Sequence, residues 1–269
     1  MILKSEFFRH KDSILHYYKY GSGVKTLICF HGFGQDAHFF KSLAERLSSL
    51  YTVYAFDLFH HGKSECRDCD TAISPKKLSA IIDAWLSAQK IDSISLCGYS
   101  MGGKIVMSLV EHSEVRIEKL LLIAPDGIET NFWYNMATYP YWARVLFKYT
   151  ITHPGIFLQA VSFFGKVKIL DKGIIRFAKF QMNSVSKRKK VYCTWLTYRK
   201  IKPDVKKVAQ KLNIFEIPMK VYLGKYDRII TEKSISPLIR QVKSYELFIL
   251  DKGHNTLIED VAREKNFNF

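Results

Sequence analysis

Gly98-Tyr99-Ser100-Met101-Gly102 sets a serine between two glycines, directly after the β-rich run 94–97 and before a helix-like segment that starts at Gly103. In such a strand–turn–helix setting the turn is strained and the adjoining elements leave no room for side chains. The glycines meet that need, and the serine hydroxyl is held at a helix N-terminus, clear of the sheet. A serine hydroxyl is a weak nucleophile until a base takes its proton, so the chemistry calls for a histidine that is itself oriented by a carboxylate. Asp227, in Gly224-Lys225-Tyr226-Asp227, and His254, in Asp251-Lys252-Gly253-His254, each lie just beyond a β-rich run. A second carboxylate, Asp126 in Ala124-Pro125-Asp126-Gly127, also follows a strand-like run. Asp227 is preferred because it sits in a short turn ahead of Ile229-Ile230. Attack on a carbonyl also needs donors for the oxygen that becomes negative. His31-Gly32-Phe33-Gly34 follows the run 26–30, and the backbone N–H groups of Phe33 and Met101 are the expected oxyanion donors. His31, Tyr99, Lys104, Trp133 and Trp142 are candidate substrate contacts.

The elements that must position these residues follow from alternation and capping. A hairpin is expected from 5–10 and 13–20, followed by strands over 26–30, 52–56, 94–97, 120–124, 220–223 and 246–250, with amphipathic helices between them. Ser74-Pro75 opens a helix over 76–89, serine as N-cap and proline in the first turn. The class is α/β: a mostly parallel sheet flanked by helices, with a mainly helical insertion. The core is expected over 1–127 and 214–269. Residues 128–213 form the insertion, dense in aromatics and bearing 13 lysines and 4 arginines against Glu129, Asp171 and Asp204, a net +14 of the chain's +16. The cations of 187–190 and 206–207 read first as solvated helix faces, and phosphate binding with base stacking is the weaker reading, so no nucleic-acid partner is expected. The insertion's aromatics suit an apolar acyl group, and its charge suits weak peripheral association with an anionic membrane.

At 269 residues, 48% hydrophobic and 25% charged, the composition excludes intrinsic disorder. The nearly uncharged, apolar stretch 156–164 is too short to span a bilayer. The charged first dozen residues do not read as a secretory signal. Five cysteines, an odd number with two in apolar runs, suit a reducing compartment better than a disulfide framework, so a cytoplasmic location is expected. Cys66-Arg67-Asp68-Cys69 after His60-His61 lacks a second ligand pair at matching spacing, so no metal is expected.

Four motifs together carry a family resemblance: HGFG at 31–34, DLFHHGKS at 57–64, GYSMGG at 98–103, and the Asp227/His254 pair. Over essentially its whole length the chain resembles the α/β-hydrolase fold superfamily, in its serine-nucleophile branch with an inserted cap. The resemblance implies a serine hydrolase acting on a small-molecule ester, thioester or lactone through an acyl-enzyme, with no cofactor. Serine at 100 in place of aspartate argues against the dehalogenase and epoxide hydrolase branches. GYSMGG and the 57–64 loop are also similar to 2-succinyl-6-hydroxy-2,4-cyclohexadiene-1-carboxylate synthases, which implies C–C bond or lyase chemistry as the alternative. Those enzymes carry an arginine where this chain has Lys104, and lysine lacks the planar fork that grips a carboxylate.

Overall fold

The β-rich runs assemble into one nine-stranded sheet in a computed structural model that describes residues 3–66, 68–129, 132–155, 157–159, 162, 175, 180–265 and 267–269. The strands are β1 (Leu3–His10), β2 (Ser13–Tyr20), β3 (Lys25–Phe30), β4 (Tyr51–Phe56), β5 (Glu65–Cys66), β6 (Ser93–Tyr99), β7 (Arg116–Ile123), β8 (Met219–Gly224) and β9 (Tyr245–Leu250). Their order is β1-β2-β4-β3-β6-β7-β8-β9, with β5 on β2. The pairs from β4 to β9 are parallel; β1/β2, β2/β4 and β2/β5 are antiparallel. The expected α/β class and hairpin are therefore present. Most strands run one or a few residues past the expected ends, because hydrogen-bonded pairing continues where side-chain alternation has stopped.

Central strands are buried on both faces, which is why 27–30 and 120–123 read as unbroken apolar runs and 94–99 is interrupted only by the small residues Ser95 and Gly98. Helix α1 (Lys41–Leu47) covers the sheet with Leu43, Ala44 and Leu47 buried. In α2 (Pro75–Gln89) Ser74 caps the first turn, its hydroxyl accepting from the Lys77 N–H at 3.2 Å, and Lys90 closes the helix in the left-handed region. Its buried face places Trp85 against Tyr17, Tyr54 and Phe56 at ring separations of 5.4, 4.8 and 4.9 Å. Each such ring removed from water contributes about 1.5–3 kcal/mol. Helix α3 (Met101–His112) is buried over its first ten residues. The helices α8 (Glu232–Ile239) and α9 (Leu257–Arg263) belong to the same unit.

The chain divides into two compact units, and the division differs from the expected insertion at 128–213. The first holds 1–67, 73–129 and 200–269; the second is Asp68–Ala72 with Thr130–Arg199. Helix α7 (Val205–Ile214) belongs to the first unit because Val208, Ala209 and Leu212 are buried and Glu111 of α3 accepts from the Asp204 N–H at 2.9 Å. Lys206 and Lys207 thus sit on the core. The second unit carries twelve Lys and Arg against Asp68, Asp70 and Asp171, a net +9.

The second unit contains α4 (Phe132–Thr138), α5 (Tyr141–Tyr149) and α6 (Val185–Tyr198). A small cluster of Tyr192, Cys193 and Leu196 packs with Cys69, Phe147 and Ile151. A Cys69–Cys193 disulfide ties the 68–72 segment to α6. This corrects the expectation of unpaired cysteines and removes the support it lent to a cytoplasmic location. Asp70 reinforces the tie: its carboxylate accepts from the Tyr192 hydroxyl and from Lys148 Nζ at 2.8 Å, and its carbonyl from both Arg199 amino groups at 3.1 Å. Buried Arg188 donates to the carbonyls of Ile151 and Met182 at 2.7 Å. Most of the apolar stretch 156–164 lies outside the described residues. Among the described residues no helix is long and apolar enough to cross a membrane.

Candidate active site

Ser100 stands between β6 and α3 with φ 50° and ψ −118°. A non-glycine residue there costs about 1–3 kcal/mol and persists only when its surroundings over-determine it. They do: the Ser100 N–H donates to the Ile123 carbonyl at 3.0 Å, and its own carbonyl accepts from Gly103 at 2.8 Å and Asp126 at 2.9 Å. A Cβ on Gly102 would lie 1.9 Å from the Phe30 carbonyl oxygen, so glycine alone lets α3 begin this close to β3.

His254, after β9, points Nε2 at Ser100 Oγ, 3.1 Å away, and Nδ1 at Asp227 Oδ2, 2.5 Å away. The Asp227 side chain is fully buried, and its other oxygen accepts from the Ile229 and Ile230 N–H groups at 2.8 and 3.0 Å. Held by backbone donors, the carboxylate keeps the histidine proton on Nδ1 and leaves Nε2 to accept from the serine. Asp126, the other candidate, sends its backbone N–H to Ser100 and exerts its charge on Lys104. Both His254 ring nitrogens are engaged elsewhere.

The 31–34 turn is positioned by groups to which sequence reasoning assigned no role. His61 Nε2 accepts from the Gly34 N–H at 3.1 Å, and its Nδ1 donates to the Phe59 carbonyl at 3.1 Å. Asp57, almost wholly buried, accepts from His16 Nδ1 and the Ala37 N–H at 2.7 Å and from the Lys63 N–H at 2.8 Å. Gly62 is left-handed, and a Cβ there would lie 1.8 Å from the Asp57 carboxylate. Ser64 Oγ donates to the Asp57 carbonyl and accepts from the His16 N–H. The DLFHHGKS pattern was the available signal. Phe33 is half-buried with its ring edge-on to His61, and Met101 opens α3, so its N–H belongs to the helix's first turn.

The expected substrate contacts divide. His31 is fully buried, Nδ1 donates to the Gly32 carbonyl at 2.7 Å and Nε2 accepts from the Leu58 N–H at 3.0 Å, so it braces two loops. Tyr99 braces the site in the same way. It is buried, and its hydroxyl donates to the His254 carbonyl at 2.7 Å, while burial first and the Asp227 charge second hold the phenol well above its usual pKa. Lys104 is buried against Gly127. Burial lowers its pKa, the Asp126 charge opposes that, and Lys202 adds to it. Trp133 and Trp142 are exposed on α4 and α5 of the second unit. As for a metal, Cys69 of the C-x-x-C spacing is in a disulfide and offers no thiolate, while Cys66 Sγ lies 3.2 Å from His60 Nε2.

Residues 22–260 match the model of the serine aminopeptidase S33 family. The chain belongs to that family of α/β-hydrolases. Its relatives include proteins named as esterases and lipases. The dihydrolipoyllysine-residue acetyltransferase component of the acetoin cleaving system of Cupriavidus necator is 28% identical over 113 residues, 42% of this chain and 30% of that protein. The hydrolase YugF of Bacillus subtilis is 28% identical over 118 residues, 43% of each chain. The match thus spans less than half of either relative's length. A thermophilic esterase of Thermogutta terrifontis shares the fold with a TM-score of 0.68 at 16% identity, over 98% of this chain and 95% of that one.

Proposed function

We propose that this α/β-hydrolase cleaves carboxylic esters, or the related thioesters and lactones, by nucleophilic catalysis from Ser100. The observation that carries the reading is the hydrogen-bonded series Ser100 Oγ, His254 Nε2 and Nδ1, Asp227 Oδ2, at 3.1 and 2.5 Å. His254 takes the serine proton as Oγ attacks the acyl carbon. Asp227 stabilises the resulting imidazolium without taking the proton. The tetrahedral oxyanion is met by the N–H groups of Met101 and Phe33, where one donor is worth about 2.7–4 kcal/mol in the transition state. His254 then protonates the leaving alkoxide, and water repeats the sequence on the acyl-enzyme. No cofactor takes part.

The acyl group is proposed to be hydrophobic, in keeping with the aromatic composition of the second unit and the esterases and lipases among the relatives. Lys104, shielded from solvent and already in the field of Asp126, lends no support to the alternative of a lyase that needs a carboxylate fork. A series of p-nitrophenyl esters of rising chain length, assayed beside thioesters and lactones, tests the reading. The expected result is ester turnover with kcat/KM rising with chain length. Turnover confined to C–C cleavage substrates would contradict it.

A further inference from the structure

The helices α4 and α5 turn their apolar faces outward. On α5, Tyr141, Trp142, Val145, Leu146 and Tyr149 are all exposed, Tyr141 by 76% and Trp142 by 63%, while Ala143 is buried. Positions 141, 145 and 149 are successive turns of one stripe, and 142 and 146 form the stripe beside it, so the five make one continuous face. Arg144 and Lys148 border that face on the side of Tyr141, where the Arg144 guanidinium lies 5.7 Å from the Tyr141 ring centroid. On α4, Phe132, Trp133 and Met136 stand out with the same i, i+1, i+4 spacing. A soluble surface does not normally leave so many large rings on two adjoining helices in water, and a patch of this kind marks an interaction site.

We infer that the α4–α5 face of the second unit docks onto the surface of an anionic lipid bilayer. Three observations select that occupant. The exposed rings are chiefly Trp and Tyr, whose apolar bodies and polar tips suit the boundary between headgroups and acyl chains. The face is flanked by Arg144 and by Lys148, the latter paired with Asp70, and belongs to a unit of net +9, which attracts an anionic surface and repels a second copy of the same unit. The apolar face beside a cationic border on α5 is the arrangement of a helix that lies in the interface plane and does not cross it. Trp133 and Trp142, expected from sequence as substrate contacts, serve here as lipid anchors. The inference is independent of the hydrolytic reading, because docking needs no catalysis.

The test uses the full chain carrying Ser100→Ala, so that no turnover alters the lipid. It is sedimented with vesicles of phosphatidylcholine alone and of phosphatidylcholine mixed with phosphatidylglycerol, at low and high salt. Binding is expected on the anionic vesicles, weaker at high salt, with a blue shift of tryptophan emission. The double change Tyr141→Ala and Trp142→Ala should weaken it by about tenfold or more. Phe215→Ala, an equally exposed ring on the core unit, should leave it unchanged. Equal binding to both vesicle types at both salts, no binding to either, or the same loss from Phe215→Ala would each overturn the proposal. So would lipid-free dimerisation that is abolished by the Tyr141/Trp142 double change.

Discussion

In the core unit Trp85, Tyr17, Tyr54 and Phe56 pack ring against ring out of solvent, whereas in the second unit Phe132, Trp133, Tyr141 and Trp142 stand in it. The core places the groups proposed to react with fixed backbone: a strained Ser100 held by three backbone bonds, a carboxylate held by two N–H groups, a turn held by His61. The second unit has a small described cluster and is held instead by a disulfide, the Asp70 clamp and Arg188. The comparison teaches that the geometry proposed for bond-making and the surface proposed for recognition are built by different means, the first by burial and strain, the second by cross-links beside an exposed apolar face.

The sharpest way to break the comparison is to remove a reacting group. Ser100→Ala or His254→Ala should each lower ester turnover by about 10⁶-fold, since the residues act as one unit. Thermal melting of either variant should stay close to that of the parent, and a large fall in melting temperature would show that the group is structural. Asp227→Asn should cost up to about 10⁴-fold, by favouring the wrong histidine tautomer, with Asp126→Asn far milder. If the two asparagine variants exchange places in a kcat comparison, the carboxylate has been misassigned.

Effects on the second unit should be smaller and confined to it. Cys193→Ser should cost about 2–4 kcal/mol of that unit's stability, read as faster proteolysis within 132–199 while 93–112 stays protected. Uniform loss of protection across both units would erase the distinction between them. Smallest is the Asp70 clamp. Hydrogen bonds from Lys148 and then Tyr192 lower the Asp70 pKa from 3.8, so its contribution is fully present above that value and is lost as pH falls through the lowered folded value. Its side chain is more than half exposed, so the contribution is under about 1 kcal/mol. Asp70→Asn should flatten the unit's stability as pH falls below 3.8, and an unchanged slope in urea melts would count against the clamp.

Much of this was legible in the residues. Strands buried on both faces leave continuous apolar runs, and a strained turn demands glycine, so β6, Ser100 and α3 could be read directly. The spacing of Asp227 and His254 after their strands did the same for the site. Other features left no local trace. The Cys69–Cys193 bond joins residues 124 apart, and nothing near either one announces the other. His31 and Tyr99 carry polar atoms that suit a ligand as well as a backbone carbonyl, and only packing decides between them. Lys206 and Lys207 share the composition of the insertion, but Val208 and Leu212 on the opposite face of α7 place them on the core.

The central claim, that Ser100 is the nucleophile and is activated by His254, is tested most directly by covalent labelling. A fluorophosphonate probe should modify the native chain at Ser100, located by peptide mass mapping, and labelling should fall away in His254→Ala. Modification of a different serine, or labelling of Ser100 that is unaffected by the loss of His254, would contradict it.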